Sequence, residues 1–104
     1  MNGAELKTTL QAGGRVFGTM ISIGRNPRWI PILTGVGLDY IIIDTEHNPR
    51  SRGELGDYLT MCNTTGVVPI VRIPIPDSHY VTMALDAGAQ GVLAPYCETV
   101  DEVK

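Results

Sequence analysis

Residues 39–50 read DYIIIDTEHNPR. An apolar run, Tyr40 to Ile43, is closed by Asp44, and a second acid, a histidine and a proline follow. Apolar residues without polar alternation mark a strand covered on both faces, as in a parallel sheet flanked by helices. Titratable groups at the end of such a strand fall on the edge where parallel α/β folds carry their chemistry.

The segments on either side fit that reading. Upstream, NPRWIPILTGVG (26–37) has an Asn cap, a proline in its first turn and glycines at its end, which predicts a helix despite Pro31. RVFGTMISI (15–23) is a strand candidate, and GAELKTTLQAGG (3–14) reads as a short helix stopped by a glycine pair. Downstream, SRGELGDYLTMCNTTG (51–66) opens with Ser51 and Glu54 in a capping-box spacing and stops at Gly66. VVPIVRI (67–73) is the next strand, DSHYVTMALDAG (77–88) a helix capped by Asp77, and GVLAP (91–95) a fourth short strand. The strands start near residues 15, 39, 67 and 91, a βα repeat that predicts parallel strands with right-handed crossovers.

ETVDEVK (98–104) repeats the capping-box spacing with Thr99 and Glu102, then runs for only about one turn, too short for an isolated helix. The expectation is a single incomplete domain over 1–104, the front part of a longer protein. Four parallel strands with two bare edges invite aggregation. Closing them takes an eight-stranded barrel of about 250 residues. The competing doubly wound sheet carries a GxGxxG turn after its first strand, whereas ISIGRNP has one glycine. The expected fold is therefore α/β: the N-terminal four βα units of a (β/α)8 TIM barrel.

Composition excludes several function classes. With 43% hydrophobic and 18% charged residues the chain is globular, and its net charge of −3 disfavours nucleic acid, whose phosphates need a basic face. No run approaches the ~20 apolar residues of a membrane span, and the N-terminus lacks a signal-peptide layout, so no membrane partner is expected and the cytoplasm is the expected compartment. Cys62 and Cys97 are too few for a disulfide framework and read as reduced thiols.

Asp44, Glu46 and His47 after the second strand, Arg72 in the third and Glu98 after the fourth converge on one rim. His47 has the side chain suited to a general base near neutral pH. Asp44 could hold the imidazole tautomer or cap a turn. Glu46 could ligate a metal or bind loop amides. Arg72, within an apolar strand, needs an anion, either a substrate carboxylate or an internal Asp or Glu. His79 reads as an exposed helix residue and Trp29 as core or interface. Arg25, Arg28, Arg50 and Arg52 read as solvated charges, the first two placed to touch an anionic substrate tail.

DYIIIDTEHNP, VVPIVRIP and MALDAGAQGVLAPYCETVDEV, in this order and spacing, resemble the HpcH/HpaI aldolase family, from about Gly14 to the end. The resemblance implies a (β/α)8 barrel that makes or breaks a carbon–carbon bond next to pyruvate with a divalent metal of the Mg, Mn or Co class. It implies His47 as the base, Asp44 as a carboxylate beside it, Arg72 as the group that binds the pyruvyl unit and stabilises the enolate, and Asp86 as an acid raising the basicity of the histidine. The main metal ligands are expected beyond Lys104, and none is assigned within the chain. Asp86, at the far end of its helix, would either reach the His47 of a neighbouring subunit or do another job, such as capping a turn, and a homo-oligomer is expected for the full-length protein. Lys7 and Lys104 lie away from strand carboxyl ends, which disfavours a Schiff base. The expected substrate is a 4-hydroxy-2-oxo acid cleaved to pyruvate and an aldehyde. The alternatives are a related lyase or decarboxylase using a pyruvate enolate, or a catalytically silent fragment.

Overall fold

The computed structural model describes residues 1–22 and 26–103. Arg25 and Lys104 lie outside the described residues. The order of elements is α1 (Gly3–Gln11), β1 (Gly18–Ile21), a 3₁₀ turn (Pro27–Trp29), α2 (Ile30–Gly35), β2 (Tyr40–Asp44), α3 (Arg52–Thr65), β3 (Val68–Arg72), α4 (Ser78–Asp86), β4 (Gly91–Leu93) and α5 (Val100–Val103). The strands form one parallel sheet in the order β1-β2-β3-β4. Sequential parallel neighbours joined through helices are the repeating units of a (β/α)8 barrel, as expected.

Three elements differ from their expected bounds, each for a local reason. β1 begins only at Gly18 because its partner Tyr40 is the first residue of β2, which leaves residues 15–17 no strand to pair with. The helix expected over 26–37 is divided: Pro31, lacking an N–H, falls in the first turn of α2, and the preceding turn is 3₁₀ with Asn26 accepting from the Arg28 N–H. β4 ends at Leu93, opposite Arg72, since the Ile73 N–H takes the Leu93 carbonyl and Pro74 has no N–H to continue the ladder.

The helix caps follow the sequence. Ser51 Oγ accepts from the Glu54 N–H at 3.0 Å, and Gly66 closes α3 with a left-handed φ of 85°. Asp77 caps α4 through the His79 N–H, and Thr99 caps α5 through the Glu102 N–H. His79 is exposed, as expected.

Strand alternation divides the sheet into two faces. Ile41, Ile43, Val71 and Ile73 point toward the helices and pack with Ile30, Leu55, Tyr58, Leu59, Cys62 and Ala84 as a dry core. Burial pushes the Cys62 thiol up to about 12, so it is an inert packing group. The other face carries Gly18, Met20, Tyr40, Ile42, Ile70, Gly91 and Leu93 in register, with Met20 and Leu93 exposed. In a barrel this face lines the interior. Gly18 is required there: a Cβ would sit about 2.4 Å from the Tyr40 ring. Asp44 and Arg72 continue this inner face, two residues beyond Ile42 and Ile70.

Trp29 is 58% exposed and so stands outside the core of this chain, in an apolar groove with Met20, Ile21, Leu33 and Tyr58. Among the described residues no helix is long and apolar enough to cross a membrane.

Candidate active site

Asp44 and Arg72 are register partners at the carboxyl ends of β2 and β3. Adjacent parallel strands place their side chains side by side, and the guanidinium meets the carboxylate in a fork: Nε donates to Oδ1 at 3.0 Å and Nη2 to Oδ2 at 2.9 Å. The strand pair is locked further by Thr45, whose N–H and Oγ1 both donate to the Arg72 carbonyl, at 3.1 and 2.6 Å. The anion that the sequence demanded for Arg72 is thus internal. Its Nε–Nη2 edge is consumed, and the Nη1 side remains as the edge a ligand could meet.

Asp44 is only 1% exposed, and it survives burial as an anion because every lone-pair direction is used. Besides Arg72, its Oδ1 accepts from the Glu46 N–H at 2.9 Å and the His47 N–H at 3.3 Å, and its Oδ2 from Asn48 Nδ2 at 2.9 Å. The TEHN loop therefore wraps around the carboxylate as an Asx-type turn. The Arg72 hydrogen bonds, reinforced by these donors, hold the Asp44 carboxyl well below the usual carboxylate range against the opposing effect of burial. The Asp44 hydrogen bond likewise raises Arg72 above its ordinary value, aided by the charges of Asp44, Glu46 and Tyr96 against desolvation.

His47 is exposed, with 63% of its side chain accessible, and its Nε2 stands 2.7 Å from Glu46 Oε1. The same oxygen is 3.8 Å from Arg72 Nε. Glu46, 8% accessible, is thus a bridge between the imidazole and the guanidinium, and its Oε2 is buried with no partner among the described residues. One expectation is corrected here: the carboxylate beside the imidazole is Glu46, since Asp44 touches His47 only through the backbone N–H. Of the two roles open to Asp44, the geometry takes the turn cap, so the loop amides are bound by Asp44 and not by Glu46.

Arg50 is the largest miss. Read as a solvated charge, it is half-buried: Nε donates to the Asp44 carbonyl at 3.3 Å, Nη2 reaches the Ile21 and Ser22 carbonyls at 3.5 and 3.4 Å, and the guanidinium lies 4.8 Å over the Tyr58 ring. It ties the end of β1 to the end of β2. The sequence offered one signal, Pro49, which turns the chain back onto the rim. Arg28 and Arg52 are exposed. Tyr96, also unforeseen, follows β4 with a left-handed φ of 58°, unusual for a bulky residue.

Glu98 is exposed on the α5 side and does not join the rim cluster. Asp86 is exposed at the end of α4, whose chain continues to the Gln90 N–H bonded to the Pro69 carbonyl at the start of β3. That is the amino edge of the sheet, so within one chain Asp86 is kept from His47 by the length of the strands. Among the described residues no group of three or more His, Cys, Asp or Glu side chains is placed to hold a metal ion. Asp44 is committed to Arg72 and one oxygen of Glu46 to His47, and the single remaining carboxylate oxygen, Glu46 Oε2, does not make a metal centre by itself.

Comparison with known proteins places this arrangement. Residues 19–104 match the family described as HpcH/HpaI aldolase/citrate lyase. The chain is 31% identical over 98 residues to a hydroxypyruvate/pyruvate aldolase of Roseobacter denitrificans, covering 94% of this chain and 38% of that protein. It is 31% identical over 101 residues to a 4-hydroxy-2-oxovalerate aldolase of Novosphingobium aromaticivorans, covering 96% and 38%. The crystal structure of an HpcH/HpaI aldolase from Desulfitobacterium hafniense superposes with a TM-score of 0.86 at 36% identity, over 94% of this chain and 38% of that one. The chain thus spans about 38% of the length of these relatives. With its parallel βα units, its rim of paired charges and a match over most of its length, it belongs to the HpcH/HpaI aldolase/citrate lyase family.

Proposed function

We infer that this chain supplies the base and the pyruvyl-binding group of an aldolase that cleaves a 4-hydroxy-2-oxo acid to pyruvate and an aldehyde. One observation carries the reading: an imidazole from the loop that ends β2 and a guanidinium from the adjacent strand β3 flank the same carboxylate, Glu46. The relatives' names supply the substrate class, pyruvate and a hydroxy-oxo acid.

In this mechanism the open edge of Arg72 binds the pyruvyl end of the substrate, and Asp44 fixes the plane of the guanidinium. The base is His47, which takes the proton of the 4-hydroxyl. The C3–C4 bond breaks, its electron pair passing to C3 and the 2-oxo oxygen as the aldehyde forms, and Arg72 donates to the developing enolate oxygen. Protonation of C3 by His47 returns the proton and gives pyruvate. A divalent metal would add Lewis-acid stabilisation of the enolate. The ligand set for such an ion is not among the described residues, and we assign it to the part of the relatives' length that this chain does not span. Asp86 acts, on this reading, on the His47 of a neighbouring subunit in a homo-oligomer.

The test is pyruvate binding and release. In a full-length barrel carrying this segment, Arg72→Lys should weaken pyruvate binding roughly tenfold or more, the worth of one charge-assisted hydrogen bond, because a point charge cannot replace the fork. His47→Ala should stop pyruvate release while binding persists. Unchanged pyruvate affinity in Arg72→Ala would end the assignment of that residue. Metal-dependent pyruvate release by the 104-residue chain alone would contradict the placement of the ligands, and silence in both forms would favour a non-catalytic role.

A further inference from the structure

His47 is the exposed member of the rim, yet one of its ring nitrogens is already committed. Its Nε2 lies 2.7 Å from Glu46 Oε1, the length of a charge-assisted hydrogen bond. A carboxylate offers only acceptors, so the proton of that bond belongs to Nε2. In a neutral imidazole one nitrogen donates and the other accepts, which leaves the lone pair on Nδ1. Among the described residues Nδ1 has no hydrogen bond, and the backbone N–H of His47 is the group that meets Asp44.

Glu46 is held in a way that can keep this ring still. Its side chain is 8% accessible, against 63% for His47. Its N–H is tied to Asp44 Oδ1 at 2.9 Å, its Oε2 is sealed from solvent, and its Oε1 also faces Arg72 Nε at 3.8 Å. An exposed imidazole without a partner samples both tautomers and several ring orientations. One held at Nε2 by a buried carboxylate keeps Nδ1 free and aimed in one direction. The buried acid of a Ser-His-Asp triad acts on its imidazole in the same way, with the two ring nitrogens exchanged.

We propose that Glu46 is a positioning residue of the reaction: it fixes the Nε2–H tautomer of His47, so that the base is Nδ1. Nδ1 takes the proton of the 4-hydroxyl. The O–H electron pair becomes the second bond of the aldehyde carbonyl, and the C3–C4 pair passes to C3. Glu46 stabilises the positive charge that the ring acquires and takes no proton itself. Return of the Nδ1 proton to C3 restores the same tautomer. A second carboxylate, Asp86 of a neighbouring subunit included, would have to share the Nε2 proton, because a bond at Nδ1 would occupy the base. The inference rests on the reading of His47 as the base, but its first readout needs no reaction.

The experiment reads the tautomer directly. The 104-residue chain has two histidines, His47 and the exposed His79, whose ¹⁵N-labelled rings are compared at about pH 8, above the ordinary histidine range. His47 is expected with its proton fixed on Nε2 and a bare Nδ1, and His79 with the averaged pattern of a free ring. Glu46→Ala should give His47 that averaged pattern. Glu46→Gln should keep the proton on Nε2, because two donors, His47 Nε2 and Arg72 Nε, face Oε1 and hold the amide oxygen there. A merely structural role for Glu46 would not make the tautomer follow the acceptor atom. In a full-length barrel, Glu46→Ala should lower kcat for pyruvate release about tenfold or more, the worth of one charge-assisted hydrogen bond, with pyruvate affinity unchanged. A proton on Nδ1 of wild-type His47, an averaged wild-type ring, or an unchanged kcat in Glu46→Ala would overturn the proposal. No pyruvate release from any form, with the proton still fixed on Nε2, would end the aldolase reading and leave the tautomer assignment standing. If Glu46→Ala does not fold, the wild-type spectrum decides alone, since the proposal requires one tautomer with its proton on Nε2.

Discussion

The two ends of this sheet solve the same problem differently. At the amino edge the polar groups are mostly neutral amides that satisfy one another: Asn63 donates to the Gly88 carbonyl and accepts from Gln90 Nε2, and Gln90 Oε1 accepts from the Gly3 N–H, while the one carboxylate named there, Asp39, accepts from the Phe17 N–H. At the carboxyl edge the groups are mainly charged, and among the described residues Glu46 Oε2 and Arg50 Nη1 each keep an unmade bond. Neutral amide networks close the fold at one end, and unfinished charged networks leave capacity for ligands at the other. An edge with spare hydrogen-bonding capacity is the one that can do chemistry.

Substitutions at four positions sharpen that contrast. The largest effect is expected from Asp44→Ala, which strips the fork from Arg72 and the centre from the TEHN turn. A loss of roughly 3 kcal/mol in urea unfolding is expected, the low end for breaking a buried pair because water reaches Arg72. The same carboxyl makes the carboxyl edge acid-sensitive. Its folded-state pKa is depressed, so its stabilisation is complete above the ordinary carboxylate value and fades as pH falls below about 4. Asp44→Asn should flatten that part of the stability-versus-pH curve; an unchanged acid limb would show that another carboxylate governs it.

Gly18→Ala comes next, because its methyl would collide with the Tyr40 ring on the inner face. Overpacking of this kind costs about 1–3 kcal/mol, read as a lowered thermal midpoint. Asn63→Ala, at the amino edge, should cost about 1 kcal/mol for its exposed hydrogen bonds and leave pyruvate binding by a full-length barrel unchanged. A loss of binding there would erase the distinction between the two edges. The smallest stability effect belongs to His47→Ala, within about 0.5 kcal/mol for so exposed a side chain, yet it should remove a general base worth 10²–10⁴-fold in rate. That opposition of effects separates a residue kept for folding from one kept for reaction.

How much of this was legible beforehand depends on the range of the interactions. The β2 run, the Ser51, Asp77 and Thr99 caps and the Gly66 stop are local, decided within a few residues, and each was readable. The arrival of Asp44, Glu46, His47 and Arg72 on one rim followed from topology alone, since parallel strands must present their carboxyl ends together. Which acid serves which cation was not readable. Asp44 and Glu46 differ by two positions in the chain, and only the Asp44↔Arg72 register and the reversal of the TEHN loop hand the first to Arg72 and the second to His47. Arg50 was misread for the same reason, as two of its carbonyl partners lie 28 and 29 residues away.

The sequence by itself therefore determined the βα repeat, the parallel sheet and the edge that bears the charges, because hydrophobic period and capping act over short distances. Tertiary structure alone decided the pairing of those charges, the exposure of Trp29 and the half-burial of Arg50. Those depend on strand register and on which side of the sheet a side chain leaves, quantities set only when distant segments meet.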